Sequence, residues 1–124
     1  MRTEAAPAPF QGAPYSQAIV SNGFVFVSGQ LAMRPGTHEL VGEAIEEQTE
    51  QVFANLGAIL EAAGSGLDRI VKTTVFLVSL DDFQGMNEVY RRCVGDVPPA
   101  RATVEISALP SGALVEIEAI ALAG

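Results

Sequence analysis

The stretch Pro99–Leu122 has the sequence PARATVEISALPSGALVEIEAIAL and predicts two β-strands joined by a short turn. In both strands, polar residues alternate with apolar residues. Successive side chains of a strand point to opposite faces of a sheet. We therefore expect one face to be apolar and the other to carry the polar side chains of both strands: Arg101, Thr103, Glu105, Ser107, Glu116 and Glu118.

The polar face is not a plain solvated surface, because Leu114, Ile120 and Leu122 share it with the carboxylates of the second strand. A charged residue among apolar neighbours usually has a partner, a ligand or water in a pocket. The stretch therefore predicts a binding or catalytic site on two adjacent strands. A structural ion pair between Arg101 and Glu116 is the alternative that the residues alone leave open.

Length and composition predict one domain that assembles with copies of itself. The 124 residues fit a single domain, 1–124, in which residues 1–14 are rich in Ala and Pro and predict an extended arm. Hydrophobic residues make up 48% of the chain, yet no apolar run approaches the roughly 20 residues that span a bilayer. A small monomer has little interior, so we expect a homo-oligomer that buries the remaining apolar surface.

The formal net charge of −8 argues against a nucleic-acid surface, which needs clustered Lys and Arg. A small anionic substrate remains compatible with it, because one buried Arg can bind a carboxylate. The single cysteine, Cys93, cannot form an intrachain disulfide or a Cys-rich metal site. His38 lies in a predicted polar loop, and we expect its side chain to be solvated. The N-terminus has no apolar signal core, so we expect a cytoplasmic, non-membrane protein.

The order of predicted elements is β-β-α-β-α-β-β. The strand FVFVS is of the type buried on both faces, and Asn22-Gly23 before it predicts a hairpin turn. Two helices cannot cover both faces of the sheet, so we expect both on one face, and neighbouring subunits against the other. The first five elements are predicted at Tyr15–Ser21, Phe24–Ser28, Glu43–Ala63, Ile70–Val78 and Asp81 to near Gly95, the last with Phe83, Met86, Val89 and Tyr90 on its apolar side.

The C-terminal stretch resembles the signature of the RidA (YjgF/YER057c/UK114) family. The segments APYSQA, FVFVSGQ, EQTEQVFANLGAILEAAG, IVKTTVFL and DDFQGMNEVY occur in the family's order, so the resemblance spans essentially the whole chain. It implies an α+β, chorismate-mutase-like fold: a mixed sheet of about six strands with two helices on one face. It also implies a homotrimeric barrel with sites at the subunit interfaces.

The resemblance implies a cofactor-free hydrolysis of enamines and imines, such as 2-aminoacrylate and 2-imino acids, to 2-keto acids and ammonia. Arg101 stands where the family binds the substrate carboxylate, and Glu116 where it orients water. Thr103 stands where many members carry cysteine, which leaves the substrate preference open. The residues that match family substrate-binding positions are Tyr15, Ser28, Asn87 and Thr103.

Three functions follow as hypotheses. The first is the deaminase, including a divergent one that acts on a catabolic enamine such as an aminomuconate. The second is a non-enzymatic regulatory trimer that binds small carboxylates in the same pocket. The third is a nuclease or translation inhibitor, which the net charge of −8 disfavours.

Overall fold

The computed structural model describes residues 2–9 and 12–124, which form five strands, two α-helices and three short 3₁₀ turns. The predicted order of strands and helices is confirmed. The elements are β1 (Ala18–Ser21), β2 (Phe24–Gln30), α1 (Ile45–Ala62), β3 (Ile70–Leu77), α2 (Phe83–Cys93), β4 (Ala100–Glu105) and β5 (Val115–Leu122).

The five described strands, rather than about six, form one mixed sheet in the order β1-β2-β5-β3-β4. β3 and β4 are parallel, and every other pair is antiparallel. The expectation that β4 and β5 are adjacent is wrong, because β3 lies between them. The helix α2 returns the chain so that β4 pairs in parallel with one edge of β3, as a βαβ connection allows. β5 then occupies the other edge of β3.

Both helices pack on one face of the sheet, as expected. The apolar side of α1 is fully buried and includes Val52, Phe53, Leu56, Ile59 and Leu60. It packs on the inward residues of the sheet, such as Val25, Val75 and Ile117, in one continuous core. Fully burying a side chain of this size contributes roughly 1.5–3 kcal/mol. The core therefore fixes the register of the strands that carry the site.

The other face of the sheet, here called the open face, is apolar and uncovered within one chain. Phe24 and Phe26 of β2 are 38% and 43% exposed, whereas the alternate residues Val25 and Val27 are buried. The expectation that FVFVS is buried on both faces is therefore wrong for the single chain. Asn22 and Gly23 have φ values of 52° and 81°, which confirms the predicted tight hairpin turn.

The N-terminal segment bonds to the sheet through Gln17, which is 2% exposed. The Gln17 side chain accepts from the Thr3 N–H at 2.7 Å and donates to the Pro7 carbonyl at 2.8 Å. Three residues of the predicted arm, Met1, Phe10 and Gln11, lie outside the described residues. Within the described ranges, neither helix is long and apolar enough to cross a membrane.

Candidate functional site

Arg101 lies on β4 with its guanidinium held against α2. Its Nη1 donates a 2.7 Å hydrogen bond to Asn87 Oδ1. The guanidinium carbon lies 4.7 Å from the centre of the Tyr90 ring and 5.5 Å from that of Phe83. Ring faces attract a cation without neutralising it. Within the part of the chain that the structure describes, the recorded ion pair joins Arg92 and Glu50, and none involves Arg101.

An open pocket of about 460 Å³ lies beside this guanidinium. Arg101 lines it together with Asn87, Tyr90, Arg91, Val94, Gly95, Asp96, Pro98 and Pro99. The pocket therefore presents a positive charge whose protein partners are an amide oxygen and aromatic rings. Such a charge is suited to a carboxylate ligand. We call Asn87, Arg101 and Thr103 the arginine cluster.

A second crevice, of about 620 Å³, is lined by Tyr15, Ser28 and Glu116, which we call the acid cluster. Phe76 and Glu118 also line it. β2 has a register shift between Val27 and Gln30, which places Ser28 and Gly29 at the irregular end of the strand. The Ser28 hydroxyl donates to the Ser16 carbonyl at 2.5 Å. The acid cluster thus combines a carboxylate, a phenol and a hydroxyl in one crevice.

Glu116 is half-buried and lies directly against the backbone of Gly29. Partial burial raises the pKa of the Glu116 carboxyl above its ordinary value, and the neighbouring Glu118 carboxylate raises it further. A Cβ atom at position 29 would lie 2.8 Å from the Glu116 carboxyl carbon. Glycine at this position therefore leaves the space that the Glu116 side chain occupies. A carboxyl with a raised pKa keeps its proton to higher pH than an ordinary glutamate, which suits it to proton exchange with a substrate.

The arginine cluster and the acid cluster lie on opposite faces of the sheet, so the expectation that Arg101 and Glu116 share a face is wrong. Arg101 pairs with Thr73, which is fully buried under the helices, whereas Glu116 pairs with Phe76 on the open face. The phase of alternation in β4 is set by its pairing with β3 and is independent of the phase in β5. No direct pair between Arg101 and Glu116 can form within one chain.

The remaining predicted polar residues divide between the same two faces. Thr103 lies on the helix side, two residues along β4 from Arg101, and its hydroxyl is buried without a hydrogen-bond partner. Glu105 accepts a 2.8 Å hydrogen bond from the Leu80 N–H, as a structural partner would. Glu118 is exposed on the open face beside Glu116.

The rings of Tyr90 and Phe83 contact the Arg101 guanidinium, and the sequence pattern did not predict these contacts. Their spacing in α2 indicated only a buried apolar side. The contact of Tyr90 could have been predicted from its position three residues after Asn87, because residues at this spacing lie on the same side of a helix. Among the described residues, no group of three or more His, Cys, Asp or Glu side chains is placed to hold a metal ion.

This arrangement defines a small α+β protein with an arginine pocket on one face of the sheet and an acidic crevice on the other. The family described as Endoribonuclease L-PSP matches residues 3–123. The chain belongs to this family, which is also called the YjgF/RidA family, so the resemblance drawn from the sequence is confirmed.

Named relatives match over nearly the whole chain. RutC family protein PH0854 of Pyrococcus horikoshii is 50% identical over 96% of this chain and 93% of its own. The human 2-iminobutanoate/2-iminopropanoate deaminase is 41% identical over 96% of this chain and 87% of its own. Among solved structures, E. coli TdcF with bound serine superimposes with a TM-score of 0.90 at 35% identity, covering 99% of this chain and 97% of that one.

Proposed function

We propose that the protein is a cofactor-free deaminase that hydrolyses small 2-imino acids and their enamine tautomers, such as 2-aminoacrylate, to 2-keto acids and ammonia. The observation that carries this proposal is the set of contacts made by the Arg101 guanidinium. Its guanidinium contacts an amide oxygen and two rings beside an open pocket, and no described carboxylate pairs with it. The deaminase name of the human relative supports the same chemistry.

We propose further that each site is assembled from two copies of the chain in a homotrimer. One copy contributes the arginine cluster, and the neighbouring copy contributes the acid cluster, because the sheet separates the two within one chain. Two features support such an assembly. β4, which carries Arg101, is at the end of the described sheet and pairs only with β3 there. The open face exposes large apolar side chains, among them Phe26 and Leu122.

The reaction begins with binding of the substrate carboxylate to Arg101. A charge-assisted hydrogen bond of this kind is worth about 1.5–3 kcal/mol and fixes the orientation of the imine carbon. An enamine first takes a proton at its terminal carbon and becomes the protonated imine. This proton can come from Glu116, whose raised pKa lets the carboxyl hold it.

Hydrolysis then requires one water molecule. The ionised Glu116 carboxylate accepts a proton as the water oxygen bonds to the imine carbon. The same proton passes to the nitrogen, and Glu116 then accepts the hydroxyl proton of the tetrahedral intermediate as the carbon–nitrogen bond breaks, so that ammonia and the keto acid leave. General acid–base assistance of this type contributes roughly 10²–10⁴-fold in rate. Tyr15 and Ser28 line the crevice where they can contact the substrate.

The activity is tested by generating the imine in situ with an amino-acid dehydratase or oxidase and following its loss and the release of ammonia. We expect the wild-type protein to accelerate both. Arg101→Ala should raise the KM for imino acids, and Glu116→Gln should lower kcat by roughly 10²-fold or more. Full activity in folded Arg101→Ala would contradict the role given to Arg101.

Assembly of the site from two copies is tested by mixing the two impaired variants and assaying them at a substrate concentration where neither variant alone shows measurable activity. In a trimer formed from equal amounts of Arg101→Ala and Glu116→Gln chains, about a quarter of the interfaces receive both intact residues. We expect about that fraction of wild-type activity to return after the chains are unfolded together and refolded. If both residues acted within one chain, the mixture would stay inactive.

A non-enzymatic trimer that binds small carboxylates is the second candidate, and the serine bound to E. coli TdcF is the observation that favours it. Binding of 2-oxobutanoate or serine without any acceleration of imine hydrolysis would select this alternative. The family description names an endoribonuclease, but the net charge of −8 disfavours binding of RNA.

A further inference from the structure

A hydrogen-bonded pair of hydroxyl groups links β3 to the Tyr90 ring, which packs against the Arg101 guanidinium. The Thr73 Oγ1 and Tyr90 Oη atoms are 2.7 Å apart and form a hydrogen bond. Thr73 is fully buried, and Tyr90 is 5% exposed. Thr73 is also the residue of β3 that pairs with Arg101 of β4, so the hydroxyl pair and the guanidinium occupy neighbouring positions on the same face of the sheet.

The Tyr90 ring is constrained at each of its contacts. Its hydroxyl bonds to Thr73, and Phe53 contacts it edge-on, with ring centres 5.4 Å apart and an angle of 83° between the planes. Its face lies 4.7 Å from the guanidinium carbon of Arg101. The strength of a cation–ring contact depends on the cation lying over the ring face. If the ring could turn or shift, the position of the guanidinium would therefore be less well fixed.

We propose that Thr73 and Tyr90 are positioning residues, whose hydrogen bond holds the Tyr90 ring beneath Arg101 and thereby sets the affinity of the site for the substrate carboxylate. This inference rests on the proposed function of Arg101. The pair acts on binding of the carboxylate and leaves the steps at the imine carbon unchanged, because both residues are buried and their hydroxyls bond to each other. The expected signature is a change in KM with kcat preserved.

The variants are Tyr90→Phe, Thr73→Val and the double variant. Each substitution keeps the shape of the side chain and removes one hydroxyl. We expect each single variant to raise the KM for imino acids and the Kd for 2-oxobutanoate about three- to tenfold, with kcat within about twofold of wild type. The double variant should show the same increase as either single variant, because all three lack the same hydrogen bond.

The double variant separates positioning from stability. Each single variant leaves one buried hydroxyl without a partner and should lower the Tm. The double variant replaces both hydroxyls by apolar groups and should recover much of the Tm. If KM returned to the wild-type value together with Tm, or if KM and Kd were unchanged in all three variants, the proposal would be overturned.

Thr49→Val is the matched control. Thr49 is also a fully buried threonine, and its hydroxyl donates to the Ile45 carbonyl at 2.7 Å within α1, outside both clusters. This variant should lower the Tm and leave KM unchanged. An increase in KM equal to that of Thr73→Val would show that the loss of any buried hydroxyl has this effect, and the proposal would fail.

A spectroscopic measurement tests the inference without relying on activity. The NMR signal of the Arg101 Nε–H, assigned by its loss in Arg101→Lys, should carry a ring-current shift from Tyr90 in the ligand-free protein. We expect the signal to move or broaden in Tyr90→Phe and Thr73→Val. An unchanged signal overturns the positioning role. Wild-type protein without activity refutes the proposed function instead, so the two failures are distinguishable.

Discussion

Glu116 and Glu118 are separated by one residue on β5 and line the same crevice, yet only Glu116 is half-buried. Burial disfavours the charged form of Glu116, and the Glu118 carboxylate adds repulsion, so the pKa of Glu116 is raised. In the proposed mechanism the ionised form accepts a proton from water. The acid limb of the pH–rate profile should therefore lie above the ordinary range for a glutamate.

Glu118→Gln removes the repulsion and should lower the pKa of Glu116. We expect the acid limb of kcat/KM for imino acids to move to lower pH, because Glu116 then ionises at lower pH. The measurement is the pH profile of wild type and variant in the same buffers. Glu105→Gln is the control, since Glu105 lies on the other face of the sheet, and its profile should match wild type. A shift of the Glu118→Gln limb to higher pH would contradict this prediction.

At the level of elements, the βαβ unit formed by β3, α2 and β4 determines where Arg101 is placed. α2 supplies Asn87, Phe83 and Tyr90, and β4 places the Arg101 side chain against them. The following strand, β5, inserts on the far side of β3 and carries Glu116 toward the open face. The two charged residues are thus separated by the topology of the sheet as well as by its two faces.

The periodic segments could be predicted from sequence because each pattern is local. α1 was predicted at Glu43–Ala63 and is observed at Ile45–Ala62, and the Asn22-Gly23 turn forms as expected. Which strands pair with each other in the sheet could not be predicted in the same way, because pairing is not local in sequence. The alternation around Arg101 predicts two faces but does not specify which face meets the helices, since that depends on pairing with β3. Assignment of the two clusters to separate faces therefore required the structure.

A buried asparagine of α1 fixes the segment that follows β2. Asn55 is fully buried, and its Nδ2 donates to the carbonyls of Leu31 and Met33 at 3.0 and 2.9 Å. Leu31 also lines the crevice of the acid cluster. The helix therefore holds one wall of that crevice through two hydrogen bonds.

Asn55→Leu keeps a side chain of similar size but removes both donors. We expect the free energy of unfolding to fall by roughly 1–3 kcal/mol, because buried carbonyls lose their partners. Denaturant titration measures the change. Ala54→Leu introduces the same side chain at the adjacent, exposed position and should stay within about 0.5 kcal/mol of wild type. Equal losses in the two variants would argue against a role for the two hydrogen bonds.

At the level of the whole molecule, the apolar open face is the feature that a single chain leaves uncovered. Ile19, Phe24, Phe26 and Leu122 are each between 38% and 53% exposed and belong to three adjacent strands, β1, β2 and β5. A contiguous exposed patch of this kind marks an interaction surface. The acid cluster lies on the same face of the sheet, so the proposed homotrimer would bury this patch beside the acid cluster.

Phe26→Asp places a carboxylate at the middle of the open face and should prevent assembly, since burying an unpaired charge is costly. Light scattering should give a mass near three times 13.0 kDa for wild type and near 13.0 kDa for the variant. Deamination should be lost together with assembly. Val20→Asp is the control, because Val20 is 49% exposed on the same hairpin but on the other face. An assembled Phe26→Asp protein would contradict the proposed interface.

The aromatic content of the chain makes both clusters visible to optical spectroscopy. The sequence contains no tryptophan and two tyrosines. Tyr15 lines the crevice beside Glu116, and Tyr90 lies beneath the Arg101 guanidinium. Tyrosine emission from the unlabelled protein therefore originates at these two places, so a keto acid that occupies either one should alter this emission without any dye attached. Replacing Tyr15 by phenylalanine would leave Tyr90 as the sole emitter and assign the response to one cluster.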